Sequence, residues 1–392
     1  METTTLMMKT IIHIVFDWVR PISIVLLGML LYNLPTAGYK AQLLLQGIRY
    51  LLFCKDSKWS KPDDPGLFFA QLLKENQRDA SKRNLTSTTT ATPAPMSNTT
   101  LIERKTVYFV RHGESTWNDT FNKGKHRSNL KFVIGFVPGL LKAILYELYL
   151  LLIGRMDSWF YDAPLSHVGL DQVNELAQFL QGQKGPSSST PIDADALAIL
   201  RGDPSSPPSR LLSSNLRRAI STLAGAFYRV RLKRHPSETI QIVSPLQEIS
   251  RNPDTLSITP AHTAITPSWI ERSSSMTSTI GGDFAQILSK HVDVSMHTGN
   301  KPITTNGKIR MNEFCNMVFT LKENHIICGG HSIWFRAFFR TFMPYTIDHI
   351  CKTRKVVNCG IIAFSLLKAT KGAESIYMID PQSVRVIYGG FE

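Results

Sequence analysis

The chain is predicted to be an α/β protein built on a largely parallel sheet. Three observations predict it. Short apolar runs recur through the second half of the chain, at Val107–Val110, Leu211–Ser213, Ile240–Val243, Ile326–Cys328 and Ile361–Leu366. Each has the length and composition of a buried strand. Between two of them, Asn215–Val230 reads as a helix, with Leu216, Ile220, Leu223, Ala224 and Phe227 on one face. Strands that alternate with helices build parallel sheets. Finally, chemistry-bearing residues cluster directly after four of the strands, where open α/β sheets bind ligands.

The totals bound the rest. A chain of 392 residues, 43% of them hydrophobic, can bury a large core and is not mainly disordered. The formal net charge of +14 favours anionic partners: nucleic acid, an anionic membrane surface or phosphorylated substrates. No RNA- or DNA-binding signature and no zinc-finger spacing is present, so nucleic acid is set aside. The five cysteines, Cys54, Cys315, Cys328, Cys351 and Cys359, are odd in number and form no C-x-x-C pair. A disulfide framework is not expected, which fits a reducing compartment.

Composition divides the chain into three zones. Residues 1–74 form a hydrophobic, membrane-associated region. Ile11–Asn33 is long enough for a span, which needs roughly 20 apolar residues, but Asp17, Arg20 and Pro21 interrupt it. An uncleaved anchor or re-entrant segment fits better than a signal peptide or a buried helix, because only Lys9 is basic upstream and no small-residue cleavage site follows. Ala41–Cys54 suits an interfacial amphipathic helix or one packed on the protein itself. Lys40, Arg49, Lys55, Lys58 and Lys61 follow the apolar run, so if that run spans, the positive-inside bias puts everything C-terminal of it in the cytosol. Residues 75–100 are rich in Ser, Thr and Pro and read as a linker, with sequons at Asn84 and Asn98 that a cytosolic location would leave unused. Residues 101–392 form the third zone, which holds the strands and helix named above.

The first strand ends abruptly in Arg111-His112-Gly113-Glu114. Gly113 lets the backbone approach a bound group closely. Arg111 offers a planar fork suited to a phosphoryl group. His112 is a candidate nucleophile if one ring nitrogen is held by a carbonyl and the other left free. In the second cluster, Leu211–Thr222, a strand leads into a helix with basic residues in its first turn, where anions are favoured, and Arg218 adds a second guanidinium. In the third, Glu248 follows a strand and could donate a proton. In the fourth, Cys328-Gly329-Gly330-His331, the histidine opens a helix and, protonated, would stabilise charge on a transferring group. Any one of these alone is more simply a structural or solvated residue. Four in order, each after a strand, describe one pocket around a tetrahedral dianion.

Carried by those residues, the catalytic domain resembles the histidine phosphatase superfamily, also called the phosphoglycerate-mutase-like family. The signature Arg-His-Gly-Glu stands at Arg111–Glu114 and continues through Ser115, Thr116, Trp117 and Asn118. A D-x-P-L-S-x-x-G element matches Asp162, Pro164, Leu165, Ser166 and Gly169. An S-x-L-x-R-A-x-x-T element matches Ser214, Leu216, Arg218, Ala219 and Thr222, and Gly330, His331 and Ser332 match the late G-H-S. The resemblance covers about residues 105–392. It implies a three-layer α/β/α sandwich with a mostly parallel central sheet, to which N-terminal hydrophobic helices are added. It also implies that His112 becomes phosphorylated, that Arg111, Arg218 and His331 grip the phosphate, and that Glu248 protonates the leaving oxygen. Asn118 would touch the phosphate as well, while Glu114 fits a structural part better than a share of the acid role. No metal and no cofactor is implied.

Two departures bear on the substrate. Mutases of the family follow the acid with a Glu-Arg-His-Tyr-Gly-like stretch that holds a sugar acid; here Ile249-Ser250-Arg251-Asn252-Pro253 follows Glu248. That favours hydrolysis over phosphoglycerate-type mutase activity, and the intact pocket set speaks against a catalytically silent phosphate-binding module. The second departure is an apolar insertion at about residues 120–160, holding Phe132–Gly154. Pro138 and Gly139 divide it, and Lys123, Lys125, His126, Arg127 and Lys131 precede it. It is either a membrane-dipping flap, favouring a lipid or membrane-bound phosphate, or a lid helix packed on the protein. Residues 255–306, rich in Ser and Thr, read as an inserted cap or mobile loop; His262, His291 and His297 lack metal-site spacing. The expectation is therefore a membrane-associated phosphomonoesterase for a phosphorylated small molecule or lipid, with no nucleic acid.

Overall fold

The computed structural model describes residues 17, 20–61, 63–72, 74, 102–121, 129–182, 193–272, 280–371 and 374–392. The linker at 75–100 with its sequons, and Lys123, Lys125, His126 and Arg127, lie outside the described residues.

The strands are β1 (Ile102–Arg111), β2 (Ser209–Ser213), β3 (Ile240–Ile242), β4 (Val292–Asp293), β5 (His325–Gly330), β6 (Ile361–Lys371), β7 (Glu374–Ile379) and β8 (Arg385–Tyr388). They form one sheet in the order β4-β3-β2-β5-β1-β6-β7, with β8 also paired to β6. From β4 to β1 every pairing is parallel, while β6 runs antiparallel to β1, β7 and β8. The molecule is thus a mixed α/β fold with a mostly parallel central sheet. All five expected strands are present. The three that the sequence reading missed are the two-residue β4 and the edge strands β7 and β8, whose patterns lack a fully buried run.

Alternation along β1 divides the core. Tyr108 and Val110 join Leu211 and Ile327 under α4 (His167–Leu180), α5 (Ala194–Arg201), α6 (Arg217–Phe227) and α7 (Phe284–His291). Val107 and Phe109 join Leu212, Ile326 and Cys328 under α8 (Gly307–Thr320) and α9 (Ser332–Phe342). Successive strand side chains point to opposite faces, so one strand feeds two helical layers. The helix that leaves β2 covers one face, and the helix that leaves the adjacent β5 covers the other. A crevice opens at such a reversal, beyond the strands' carboxyl ends.

Around this body lie the apolar helices. Arg20–Tyr32 (α1) and Leu34–Phe53 (α2) meet at 76°. The turns of α1 rise only about 20 Å, less than a hydrocarbon core of ~30 Å. Among the described residues, the one helix long and apolar enough by itself to cross a membrane is instead in the insertion, α3 (Asn129–Leu152); the bent α1–α2 pair passes the same test only if counted as one broken span. The insertion is not divided at Pro138, as expected, but runs through it as a single helix. An interior proline forfeits one ladder hydrogen bond and strains the preceding turn, yet the helix continues on both sides.

The N-terminal helices and the insertion are tied together at one end. Asn33 Nδ2 donates to Leu152 O (2.7 Å), and Lys40 Nζ pairs with Glu147 (2.9 Å) and donates to Asp157 O (2.8 Å). Lys40, counted above among charges flanking a membrane, is therefore largely spent inside the protein. The region after Thr255 is also more ordered than a mobile loop. Ile265, Ile270, His297 and Lys301 are buried and α7 packs on the sheet; residues 273–279 lie outside the described residues.

Candidate active site

The strand ends bring five of the expected residues into one crevice. Arg111 closes β1 and His112 follows it, Arg218 lies in the first turn of α6 after β2, Glu248 follows β3, and His331 sits between β5 and α9. The main chain fixes the first of these: the His112 N–H donates to Gly330 O (3.1 Å), and the Gly113 N–H donates to Thr222 Oγ1 (3.0 Å). Thr222 in turn donates to Arg218 O (2.7 Å), so the β1 loop and α6 share one hydroxyl. A Cβ at Gly113 would lie 2.9 Å from Gly169 O, and one at Gly169 would lie 2.1 Å from Glu114 O. Both positions demand glycine because two backbones pass in contact. Ser166 caps α4 through Gly169 N–H and donates to Glu114 Oε1 (3.1 Å), which ties Glu114 to the start of α4.

The two imidazoles lie 5.0 Å apart between centroids. His112 Nδ1 sits 2.5 Å from Gly113 O. A carbonyl has no proton to give, so Nδ1 carries the hydrogen and Nε2 keeps a free lone pair. His331 Nε2 lies 2.8 Å from Ser214 Oγ. Each ring is turned by its own neighbour.

The guanidiniums are held from behind. Arg218 donates to Asp254 O (2.8 Å) and pairs with its carboxylate (3.4 Å). Arg111 donates to Val356 O and pairs with Glu392 (2.7 Å). Arg217 has a different fate: it faces away, to Asp157 (2.7 Å) and Asp162 O (3.0 Å), while Asp162 Oδ1 accepts the Arg217 N–H (2.7 Å). Neither arginine is on a solvated face; they are 1% and 2% exposed. Among the described residues, three buried nitrogens at the crevice have no hydrogen-bond partner: Arg111 Nε, Arg218 Nε and His331 Nδ1. Unpaired buried polar groups are rare and call for a physical reason.

Glu248 accepts from the N–H groups of Trp334 (2.8 Å), Ile333 (3.3 Å) and Ile249 (2.9 Å), so its carboxyl faces the first turn of α9. Burial pushes its pKa above the usual carboxylate value, against the opposing Trp334 N–H and Arg218. The imidazoles move the other way. Burial, then Arg218 and Arg111, hold His112 well below the usual imidazole range. Burial, then Arg218 and His112, do the same to His331. The charge stabilisation expected of His331 calls for its protonated form, whereas in this crevice the neutral ring is favoured. A dianion placed against it would reverse the Coulombic part of that preference.

Asn118 lies in the short helix Thr116–Phe121, one turn beyond Ser115, whose hydroxyl accepts its N–H (3.3 Å). Sequence reasoning missed Ser214 as a His331 partner, although Ser214 stood in a matched motif. It also missed Asp254 and Glu392, which carry no local signal: each reaches its arginine from a distant part of the chain.

The chain matches no protein-family model, and no curated protein matches it. Solved structures of similar arrangement include a mycobacterial glucosyl-3-phosphoglycerate phosphatase complexed with VO3, at 12% identity over 71% of this chain and 98% of that one (TM-score 0.30). Another is an ecdysone phosphate phosphatase from Bombix mori in complex with tungstate, at 15% identity over 71% of this chain and 93% of that one (TM-score 0.30). A third is a phosphoserine phosphatase from Entamoeba histolytica in complex with 3-phosphoglyceric acid, at 14% identity over 66% of this chain and 89% of that one (TM-score 0.26).

Proposed function

We propose that the chain is a metal-independent phosphomonoester hydrolase that works through a phosphohistidine at His112, at a membrane surface. One observation carries the reading. Among the described residues, three buried nitrogens without a partner belong to Arg111, Arg218 and His331, the residues beside a histidine whose Nδ1 is committed to a carbonyl and whose Nε2 keeps its lone pair. Such a set has donors for a tetrahedral dianion and a lone pair to attack it.

In the first step Nε2 of His112 attacks phosphorus. The N–P bond forms, the P–O bond to the alcohol breaks, and Glu248 gives its proton to the leaving oxygen. The raised pKa of Glu248 supports that role, because a proton donor must hold its proton near the working pH. Arg111, Arg218 and His331 neutralise charge on the transferring oxygens, with Asn118 as a further phosphate contact. In the second step a water attacks, Glu248 takes its proton, the N–P bond breaks and orthophosphate leaves. The substrate is a phosphorylated small molecule or lipid. The exposed apolar side chains of α1, α2 and α3 support a membrane site of action, with the catalytic part on the cytosolic side.

The test is hydrolysis of p-nitrophenyl phosphate by the detergent-solubilised full chain, with an acid-labile phosphoenzyme trapped by rapid quench. Both signals should vanish in His112→Ala. Turnover that survives that substitution removes the nucleophile, and binding of orthophosphate without turnover on any monoester leaves a phosphate-binding module.

A further inference from the structure

Asp56 lies three residues beyond the apolar helix α2, far in sequence from every site residue, and is 1% exposed. Its carboxylate binds two buried cations, Lys301 Nζ (2.6 Å) and Arg310 Nη2 (2.6 Å). Both cations grip the loop that carries Glu248. Lys301 donates to Glu248 O (2.5 Å) and Ser250 O (2.7 Å), and Arg310 donates to Gln247 O (2.5 Å) and Pro245 O (3.4 Å). The Ser250 N–H donates directly to Asp56 Oδ2 (3.2 Å). Four carbonyls between residues 245 and 250 are thus fixed by two charges that Asp56 alone neutralises among the ion pairs of the described residues. Behind it, Asp56 O accepts the Gly307 N–H at the start of α8 (2.8 Å).

The segment is continuous with α2, which is seated on the same loop. Tyr50 and Cys54 pack against Leu256, and Arg251 lies against Leu51 O (3.5 Å). On its outward side α2 exposes Leu44, Leu45, Ile48, Leu51, Leu52 and Phe53.

We propose that Asp56 is a positioning residue for the general acid: it locks the Glu248 loop at the geometry for protonating the leaving oxygen, so the N-terminal apolar helix is a working part of the active site rather than a detachable anchor. This rests on the reading of Glu248 as the acid. The phosphate grip lies elsewhere, on Arg111, Arg218 and His331, so Asp56 governs proton transfer through Glu248 and not the binding of the phosphoryl group. Removing its charge leaves Lys301 and Arg310 repelling each other beneath the loop, and the carbonyls they hold shift with them.

The chemistry supplies a discriminating readout. Departure of a p-nitrophenolate needs little protonation, whereas departure of a simple alkoxide needs a well-placed acid. In single-turnover rapid quench, Asp56→Asn in the full chain should lower the rate of phosphoenzyme formation from an alkyl phosphate by on the order of tenfold or more, a fraction of the 10²–10⁴ a general acid supplies. It should change the rate of phosphoenzyme formation from p-nitrophenyl phosphate by less than about twofold, and orthophosphate inhibition should stay near the wild-type constant. A merely structural role lowers both substrates together, in proportion to unfolded protein, and overturns the proposal; so does an unchanged alkyl rate. Where Asp56→Asn does not fold, Asp56→Glu decides. It keeps the charge and moves it by one methylene, and the same selective alkyl defect is expected, with an equal rate on alkyl substrate counting against. Glu248→Gln run alongside separates the failures: if it spares the alkyl rate, the acid assignment falls first; if it abolishes that rate while both Asp56 variants do not, only the role of Asp56 falls.

Discussion

The ring of His331 stands 5.0 Å from that of His112, at 56° between planes, and neither ring meets a carboxylate: Ser214 holds one and the Gly113 carbonyl the other. The guanidiniums of Arg218 and Arg111 act on both rings. Both are held neutral by burial and by Arg218.

Anion binding should therefore bring proton uptake with it. An orthophosphate dianion reverses the Coulombic push and raises both imidazole pKa values from their depressed positions. At pH values between the free and bound pKa, each complex formed takes up a fraction of a proton. Calorimetry in two buffers of different ionisation enthalpy measures this. At a hundredfold excess over Kd, phosphate should also stabilise the fold by about 2.7 kcal/mol. Uptake should fall in His331→Ala. Binding that shows no buffer dependence at any pH would mean that neither ring senses the anion.

Adjacent arginines should fail in different ways. Arg217→Met strands Asp157 and Asp162 inside the protein, and breaking such a buried network costs about 3–5 kcal/mol. A large drop in Tm is expected. Arg218→Lys keeps a charge beside Asp254 but loses the planar fork, so folding should be largely kept while kcat/KM falls on the order of a hundredfold. Equal melting losses in both variants, with equal activity losses, would refute the division of labour.

The strand-end clusters were legible in the sequence because a buried parallel strand is a continuous apolar run and its end is marked by the first polar residue. Phe109-Val110-Arg111 is such a boundary, and Ile327-Cys328-Gly329-Gly330-His331 is another. What was not legible is contact across long sequence separations. Nothing around Asp56, Asp254 or Glu392 announces the cation each would meet, since a buried carboxylate looks like a surface one until the fold supplies its partner. Helix continuity through Pro138 was missed because the local cost of a proline was plain while the apolar turns on both sides of it were read as separate pieces. Arg217 and Arg218 sit in the same first turn, where the sequence tells them apart only through the motif; the geometry then turns Arg217 to Asp157 and Asp162 and Arg218 to Asp254.

The pH dependence of phosphoenzyme formation should be set on its alkaline side by Glu248. The step needs a neutral His112 and a protonated Glu248. The depressed His112 pKa keeps the nucleophile unprotonated well into the acid range, so it does not limit the rate near neutrality. Burial raises the Glu248 pKa, so the acid form persists above the ordinary carboxylate range and is lost as pH rises through that value. Stopped-flow rates on an alkyl phosphate should fall along this limb in the wild type. In Glu248→Gln the limb should disappear, with a loss of about 10²-fold or more at the optimum. A limb that survives in Glu248→Gln would assign the acid to another group.

Membrane attachment should be separable from chemistry. Leu141, Leu145 and Leu148 fall along one side of α3 at three- and four-residue spacing, and they are 54%, 65% and 50% exposed. Nothing in the described protein covers them, and none touches the crevice. Residues spaced this way form a single stripe, and three leucines on one stripe would bury several kcal/mol of apolar surface in the acyl boundary, at ~25 cal/mol per Å². An Asp at each reverses the sign, since a carboxylate at bilayer depth costs on the order of 3 kcal/mol. The triple variant Leu141→Asp/Leu145→Asp/Leu148→Asp should lose flotation with anionic vesicles yet keep its Tm, because the side chains it alters are already outside the core. Turnover of soluble p-nitrophenyl phosphate should be unchanged, and turnover of a phosphate ester embedded in the same vesicles should fall with the bound fraction. Flotation that persists undiminished would show that α1 and α2 suffice to hold the protein at the bilayer, and that the long apolar helix of the insertion faces something other than lipid.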